Sequence, residues 1–203
     1  MTSDTRDRIR AAALSEFCEK GYGACVDDIA RRAGVVKQTL YHHYGSKDNL
    51  FREALKGLAD ELLVDLQRRS GSLREDLLRI AAAYRAKALS EQGLALHRMM
   101  VAEAPRFPEL ARALYEAGTA PAWSGLARLL QDAMERGELR RDDPDMAADM
   151  LLSLLSGHER SRRLYGVRIK TDQATGRVEE IVDCFLRAYA PSPTPERVKG
   201  NQE

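Results

Sequence analysis

Apolar residues recur three and four positions apart along the whole of this chain, and no run alternates apolar and polar residues for long enough to build a sheet. That periodicity restricts the chain to an all-α fold. Ile9, Ala13 and Phe17 fall one above another on a first helix, with Ser3 or Asp4 as candidate caps and Gly21 as its stop. Two short helices follow, separated by Ala33-Gly34-Val35-Val36. Gly45-Ser46 then breaks the chain before a longer helix, for which Ser46 is a suitable N-cap. Phe51, Leu55, Leu58, Leu62 and Leu66 form one stripe on that helix, which is expected to run to about Arg69 and to link two domains.

Beyond Ser70-Gly71-Ser72 the pattern describes a second bundle. Leu73, Leu77, Ile80 and Tyr84 recur at helical spacing, Pro105 and Pro108 interrupt the chain, and Gly118 to Pro121 interrupt it again. Gly137 closes the helix that carries Trp123, Leu126, Leu129 and Leu130. Asp143-Pro144 is a start signal, with Asp as cap and Pro at the first helical position. From it run Ala147, Met150, Leu151, Leu154 and Leu155, while Val178, Ile181, Val182, Phe185 and Tyr189 mark a final helix. The segment PSPTPERVKGNQE after Ala190 is expected to be loose. These breaks divide the chain into a small head over 1–46, a helical bundle over 47–190 and a flexible tail over 191–203.

A hydrophobic content of 44% over 203 residues is enough to bury a real core. The 32 basic residues nearly cancel the 31 acidic ones, so any contact with nucleic acid has to come from local geometry rather than from bulk charge. Cys18, Cys25 and Cys184 make an odd number with no CxxC spacing, which argues against a disulfide framework and a structural zinc site and fits a reducing cytoplasm. The N-terminus is charged at every second or third residue, unlike a signal peptide, and no stretch approaches the roughly 20 apolar residues of a membrane span.

The segment IARRAGVVKQTLYHHYGSKDNLF, Ile29 to Phe51, carries the chemistry. A short helix, a glycine-containing turn and a second short helix fit a helix-turn-helix, whose second helix enters the major groove of DNA. Helices this short are marginal alone, so the first long helix has to brace them through Phe17, Ile29, Ala30, Val35 and Leu40. With Leu40 facing that core, Lys37, Gln38, Thr39, Tyr41 and His42 face outward. Lys and Gln bond base edges, Thr offers a methyl group to thymine, and the Tyr hydroxyl and Lys ammonium hold phosphates. Lys47 stands at the start of the next helix, beside the free amides of its first turn.

The stretch TRDRIRAAALSEFCEKGY followed by IARRAGVVKQTLYHHYGSKDNLF resembles the TetR family of transcriptional regulators in kind and spacing over the first 51 residues. The resemblance implies that Lys37, Gln38 and Thr39 occupy base-reading or base-adjacent positions, and that Tyr41, His43 and Lys47 occupy phosphate-contact or scaffold positions. Three departures stand out. Cys25 and Val36 replace the capping hydroxyls usual before the second and third helices, the segment from Tyr22 to Ile29 is one residue shorter, and Asp27 and Asp28 bring negative charge where a basic contact is common. Further along, AEAPRFPELARALYEAG and RRDDPDMAADMLLSLLSG look similar to the AefR-like group within that family.

By that resemblance the chain is a homodimeric repressor, released from palindromic double-stranded operator DNA by a small-molecule effector that binds in the C-terminal bundle. Tyr84, His97, Met100 and Trp123 are candidate walls of an apolar or amphipathic ligand cavity, although each also fits ordinary helix packing. Met150, Leu151, Leu154, Leu155, His158, Val178, Ile181, Val182 and Phe185 are candidates for a four-helix dimer interface, with a ligand role equally open for His158. His42 and His43 point about 100° apart on a helix and have no nearby partner to complete a metal set. His43 therefore reads as packing and hydrogen bonding, while Arg31 and Arg32 fit DNA contact and a solvated face equally. No metal, cofactor or catalytic constellation is expected. The alternative is a ligand- or partner-binding helical module with weak or lost DNA binding, which the two missing caps make conceivable.

Overall fold

The computed structural model describes residues 2–55, 71–167 and 176–191. Leu58, Leu62 and Leu66, the end of the linking helix and the tail beyond Pro191 lie outside them. Helix α1 (Thr2–Lys20) already includes Ser3 and Asp4, so neither caps it, and it stops at Gly21, whose φ of +70° suits a residue without a side chain. A 3-10 turn (Gly21–Gly23) leads into α2 (Val26–Ala33), and α3 (Lys37–Tyr44) follows. Helix α4 is described over 47–55, and its first turn is capped by Ser46, whose Oγ accepts from the Asn49 amide at 3.1 Å.

These four helices share one core. Ile9, Phe17, Ile29, Leu40, Leu50 and Phe51 are fully buried in it, and the Phe17 and Phe51 rings meet edge to face at 4.4 Å. Such a ring pair contributes about 0.5–1.5 kcal/mol beyond its area. The core reaches past residue 46 to Leu55, and it takes Met99 from a helix of the second bundle. Head and bundle therefore meet through packed side chains.

The bundle comprises α5 (Leu73–Ala88), α6 (Glu91–Glu103), α7 (Pro108–Leu114), α8 (Ala120–Glu135), α9 (Pro144–Leu164) and α10 (Arg177–Ala188). Ser72 and Glu75 close a reciprocal capping box on α5, and the Asp143 carboxylate accepts from the amides of Asp145 and Met146 at the start of α9. The interruption expected at Gly118 to Pro121 is softer than a break. A π-helical turn (Tyr115–Thr119) carries α7 into α8, and Pro121 falls in the first turn of α8. Leu77, Leu126, Leu130, Leu151, Leu155, Val182 and Phe185 form the second core.

That burial corrects part of the expected dimer face. Leu151, Leu155, Val182 and Phe185 are at most 1% exposed, because α9 packs on α5, α6, α8 and α10 and turns the Ala147, Leu151, Leu155 stripe inward. The neighbouring stripe, one residue around the helix, stays outside. Met146, Met150 and Leu154 are exposed by 55, 43 and 50%, and His158 continues their row.

An ion-pair network that the periodicity does not reveal ties α5 to α9. The buried Arg85 guanidinium donates to Glu159 Oε2 at 2.6 Å and to the Leu155 carbonyl, and Arg163 donates twice to Glu159 Oε1, at 3.1 and 2.9 Å. Burial pushes the Glu159 carboxyl up, but the bonds from Arg85 and Arg163 outweigh it and hold the group below its ordinary value.

Candidate nucleic-acid interface

The turn between α2 and α3 is built by one glycine and one arginine. Gly34 takes the left-handed conformation (φ +67°, ψ +36°), which lets its amide reach back to the carbonyls of Ala30 and Arg31. From α1, Arg8 donates Nε and Nη2 to the Ala33 carbonyl at 3.2 and 2.9 Å, covering acceptors that the end of α2 leaves open. Cys25 and Val36 stand at the N-cap positions of α2 and α3, and neither supplies a capping bond. The Cys25 thiol donates instead to Asp27 Oδ2 at 3.4 Å.

Helix α3 is pinned by its inner face. Leu40 is fully buried, and Tyr44 is buried with its hydroxyl donating to the Arg6 carbonyl at 2.8 Å. The opposite face presents Lys37, Gln38, Tyr41 and His42 to solvent, with Thr39 and His43 half-buried at its edge. Lys47, in the first turn of α4, holds its ammonium 4.7 Å over the Tyr22 ring, and burial there lowers its pKa. The Tyr22 hydroxyl donates to Asp48, and burial together with that bond raises the phenol well above its ordinary value. Tyr22 also meets Phe107 at 5.3 Å, at the start of α7.

Electrostatically this surface is nearly self-cancelling. Lys37 Nζ lies 3.0 Å from Asp27 Oδ2, and the bond raises the lysine and lowers the aspartate. Lys20 pairs with Glu16 and Asp28, Arg31 with Asp28, and Arg32 with Glu16 and Glu19. Arg6, Arg8 and Arg10 have Glu53, Asp4 and Asp7 beside them. Sequence reasoning missed Arg8, Tyr22 and Tyr44 as supports of the turn and of Lys47. Pairing between Asp27 and Lys37, ten positions apart on two helices, has no periodic signal, and only the unusual charge of Asp27 pointed to it.

In the bundle, the four candidate ligand residues do not share one contact cluster. The Tyr84 hydroxyl is 3.2 Å from Ser156 Oγ and accepts from Arg160 Nη2 at 3.0 Å, while burial and Arg160 together lower the half-buried His97 imidazole. Met100 packs on the core of the head and Trp123 on the second core. A groove of about 580 Å³ opens elsewhere, between Leu78, Ala82, Arg85 and Leu89 of the α5 segment and Arg163 and Val178. Of the candidate dimer residues, Met150, Leu154 and His158 are exposed, and Val178 and Ile181 are half-buried. Among the described residues no helix is long and apolar enough to cross a membrane.

A head that pins the inner face of its second short helix in a core and leaves the outer face open, joined to a helical bundle, defines a helix-turn-helix regulator of DNA. Residues 9–54 match the family model of bacterial regulatory proteins of the tetR family, and residues 75–191 match the C-terminal domain of AefR-like transcriptional repressors. The chain belongs to the TetR family, in its AefR-like group. IcaR of Staphylococcus aureus, the HTH-type negative transcriptional regulator of the biofilm operon icaADBC, is 38% identical over 58 residues. Those residues are 28% of this chain and 31% of that protein, so the likeness spans less than a third of either. Among solved structures, a TetR-family regulator from Mesorhizobium loti is 27% identical with a TM-score of 0.79, over 94% of this chain and 98% of that one. The flavonoid-responsive regulator FrrA is 32% identical with a TM-score of 0.73, over 93% and 98%.

Proposed function

We propose that this regulator is a repressor that binds a palindromic operator as a homodimer and leaves it when a small apolar or amphipathic molecule occupies the C-terminal bundle. The observation that carries the reading is the exposed row of Lys37, Gln38, Tyr41 and His42 on a helix whose inner face is locked by Leu40 and Tyr44. A helix fixed in that way presents donors to base edges at no further cost in order. Lys37, Gln38 and Thr39 are assigned to base edges, Tyr41, His43 and Lys47 to phosphates or their support, and His42 to the rim.

Two copies would meet through the exposed stripe of Met146, Met150, Leu154 and His158, with Val178 and Ile181 beside it. The effector has to favour a conformation in which the two heads are wrongly spaced, since only a difference in affinity between two states shifts their balance. Tyr84, which accepts from Arg160, and the half-buried His97, whose pKa Arg160 lowers, are the walls best supported, and the name of FrrA makes flavonoids the first ligand class to screen. The test is enrichment of binders from a random duplex pool, followed by anisotropy titration of the enriched duplex. Tight, salt-sensitive binding of a palindromic sequence supports the reading, and failure to bind any duplex at low salt overturns it in favour of a helical module without DNA binding.

A further inference from the structure

We propose that Asp27 is a selectivity residue of the DNA interface, holding Lys37 away from phosphates at large and releasing it where a matching base edge takes its place. The inference rests on the DNA-binding reading above.

The pair lies where DNA would arrive. Asp27 is in the first turn of α2 and Lys37 begins α3, and their ion pair at 3.0 Å spans the outside of the turn with side chains 58 and 49% exposed. The adjacent Asp28 is engaged with Lys20 and Arg31 and its side chain is only 25% exposed. Asp27 is therefore the carboxylate that stands beside the base-reading row. An exposed pair of this kind adds too little to matter for folding and is weak enough for DNA to displace.

Displacement has different consequences on different DNA. A phosphate approaching Lys37 meets the Asp27 carboxylate at nearly the same distance, so attraction and repulsion offset and few counterions are released. Arg6, Arg8, Arg10, Lys20, Arg31 and Arg32 are also beside carboxylates and add little to that attraction. A guanine edge differs from a phosphate in being neutral and in offering O6 and N7 as acceptors that replace the carboxylate bond for bond. The freed carboxylate can then accept from a cytosine amino group alongside. Random DNA offers Lys37 a contact that the neighbouring charge cancels, whereas a suitably placed G·C pair satisfies both side chains.

A merely structural role would be different. An acid in the first turn of α2 favours the helix dipole whether or not Lys37 is present, and it would move stability rather than DNA preference.

The experiment compares wild type with Asp27→Asn by anisotropy over a salt series. One duplex has random sequence and spans about 30 base pairs, enough for two successive major grooves. The other is the duplex that wild type enriches from a random pool. The variant is expected to bind random DNA about two- to fivefold more tightly, which is the worth of the exposed pair. Its log–log salt slope should steepen by about 0.9, one added phosphate contact. The enriched duplex should gain less, so that selectivity falls, and both effects should vanish in a Lys37→Met background. Unchanged affinity for random DNA, an equal gain on both duplexes, or a gain that persists without Lys37 overturns the proposal. Asp27→Ser, which keeps a residue tolerated at helix starts, replaces the Asn variant if circular dichroism shows that one unfolded. If wild type binds neither duplex at low salt, the DNA-binding reading itself fails, and that result is distinct from a failure confined to the Asp27 variants.

Discussion

Replacing Glu159 by Gln removes a charge that three arginines share. Glu159 is 4% exposed and accepts one bond from Arg85 and two from Arg163, with Arg177 at 3.9 Å. The three cations are not equivalent. The side chains of Arg163 and Arg177 are 37 and 39% exposed, so water can solvate them once the carboxylate is gone. Arg85 is 7% exposed and would keep only neutral acceptors, the Leu155 carbonyl and the new amide oxygen. Leaving one buried charge without its counter-charge costs about 3–5 kcal/mol. In a chain of this size that lowers the thermal midpoint by roughly 6–20 °C. Glu159→Leu combined with Arg85→Met should return most of the loss, since apolar side chains of similar volume often substitute for a buried pair without penalty. The carboxyl is held below its ordinary 4.5, so its stabilisation is present above that value and is lost as pH falls through the lower folded one. Glu159→Gln should therefore also flatten the loss of stability in acid. Calorimetry of the three proteins at pH 7 and pH 4 measures both effects, and a Glu159→Gln midpoint within about 2 °C of wild type would show that the network is worth no more than a surface pair.

Lys47→Ala should weaken binding to every DNA sequence alike and reduce the log–log salt slope by about 0.9, because a phosphate carries no sequence information; an unchanged slope removes Lys47 from the phosphate contacts. Leu154→Asp should give a folded monomer by light scattering whereas Phe185→Asp should unfold, since Leu154 is 50% exposed and Phe185 is 1% exposed; a wild-type mass of one subunit at micromolar concentration would refute the dimer. Burial and Arg160 hold His97 below its ordinary 6.5, so the stabilisation from its neutral ring is present above 6.5 and lost as pH falls. His97→Gln should flatten that part of the stability profile, and urea midpoints that track wild type between pH 7 and pH 5 would show that the imidazole does not contribute.

Periodicity and caps made the fold legible. Gly21, Gly34 and Ser46 mark boundaries because left-handed backbone and open amides admit few residue types, and each boundary stands where the chain has one of them. The apolar pattern on α9 gave a harder problem, since Leu151 and Leu154 belong to one broad stripe in the sequence yet one is buried and the other is exposed. Nothing local distinguishes them, because the division depends on where α10 and α8 approach the helix. The same limit hid the Arg85–Glu159 pair, whose members are 74 positions apart. In the head, the outward face of α3 followed from which residue fills the core, and Leu40 decided it.

Helix α6 joins the core of the head to the bundle. Leu96, Met99 and Met100 pack on the core of the head, while His97, on the same turn, is under the influence of Arg160 on α9. Side chains three and four apart share one helix face, so Leu96, Met99 and Met100 form a single ridge seated against the head. A packed ridge does not slide continuously; it occupies one arrangement or another. Met99 is buried in the core of the head, so a rearrangement of α6 has to be accommodated there. Filling space at Met100, by contrast, would press on the head core directly, so a Met100→Trp substitution perturbs DNA binding before it reports on any ligand cavity. The contact of Tyr22 with Phe107 adds a second link from the start of α7 to the ring beneath Lys47, so the bundle reaches the proposed phosphate contact without passing through α3.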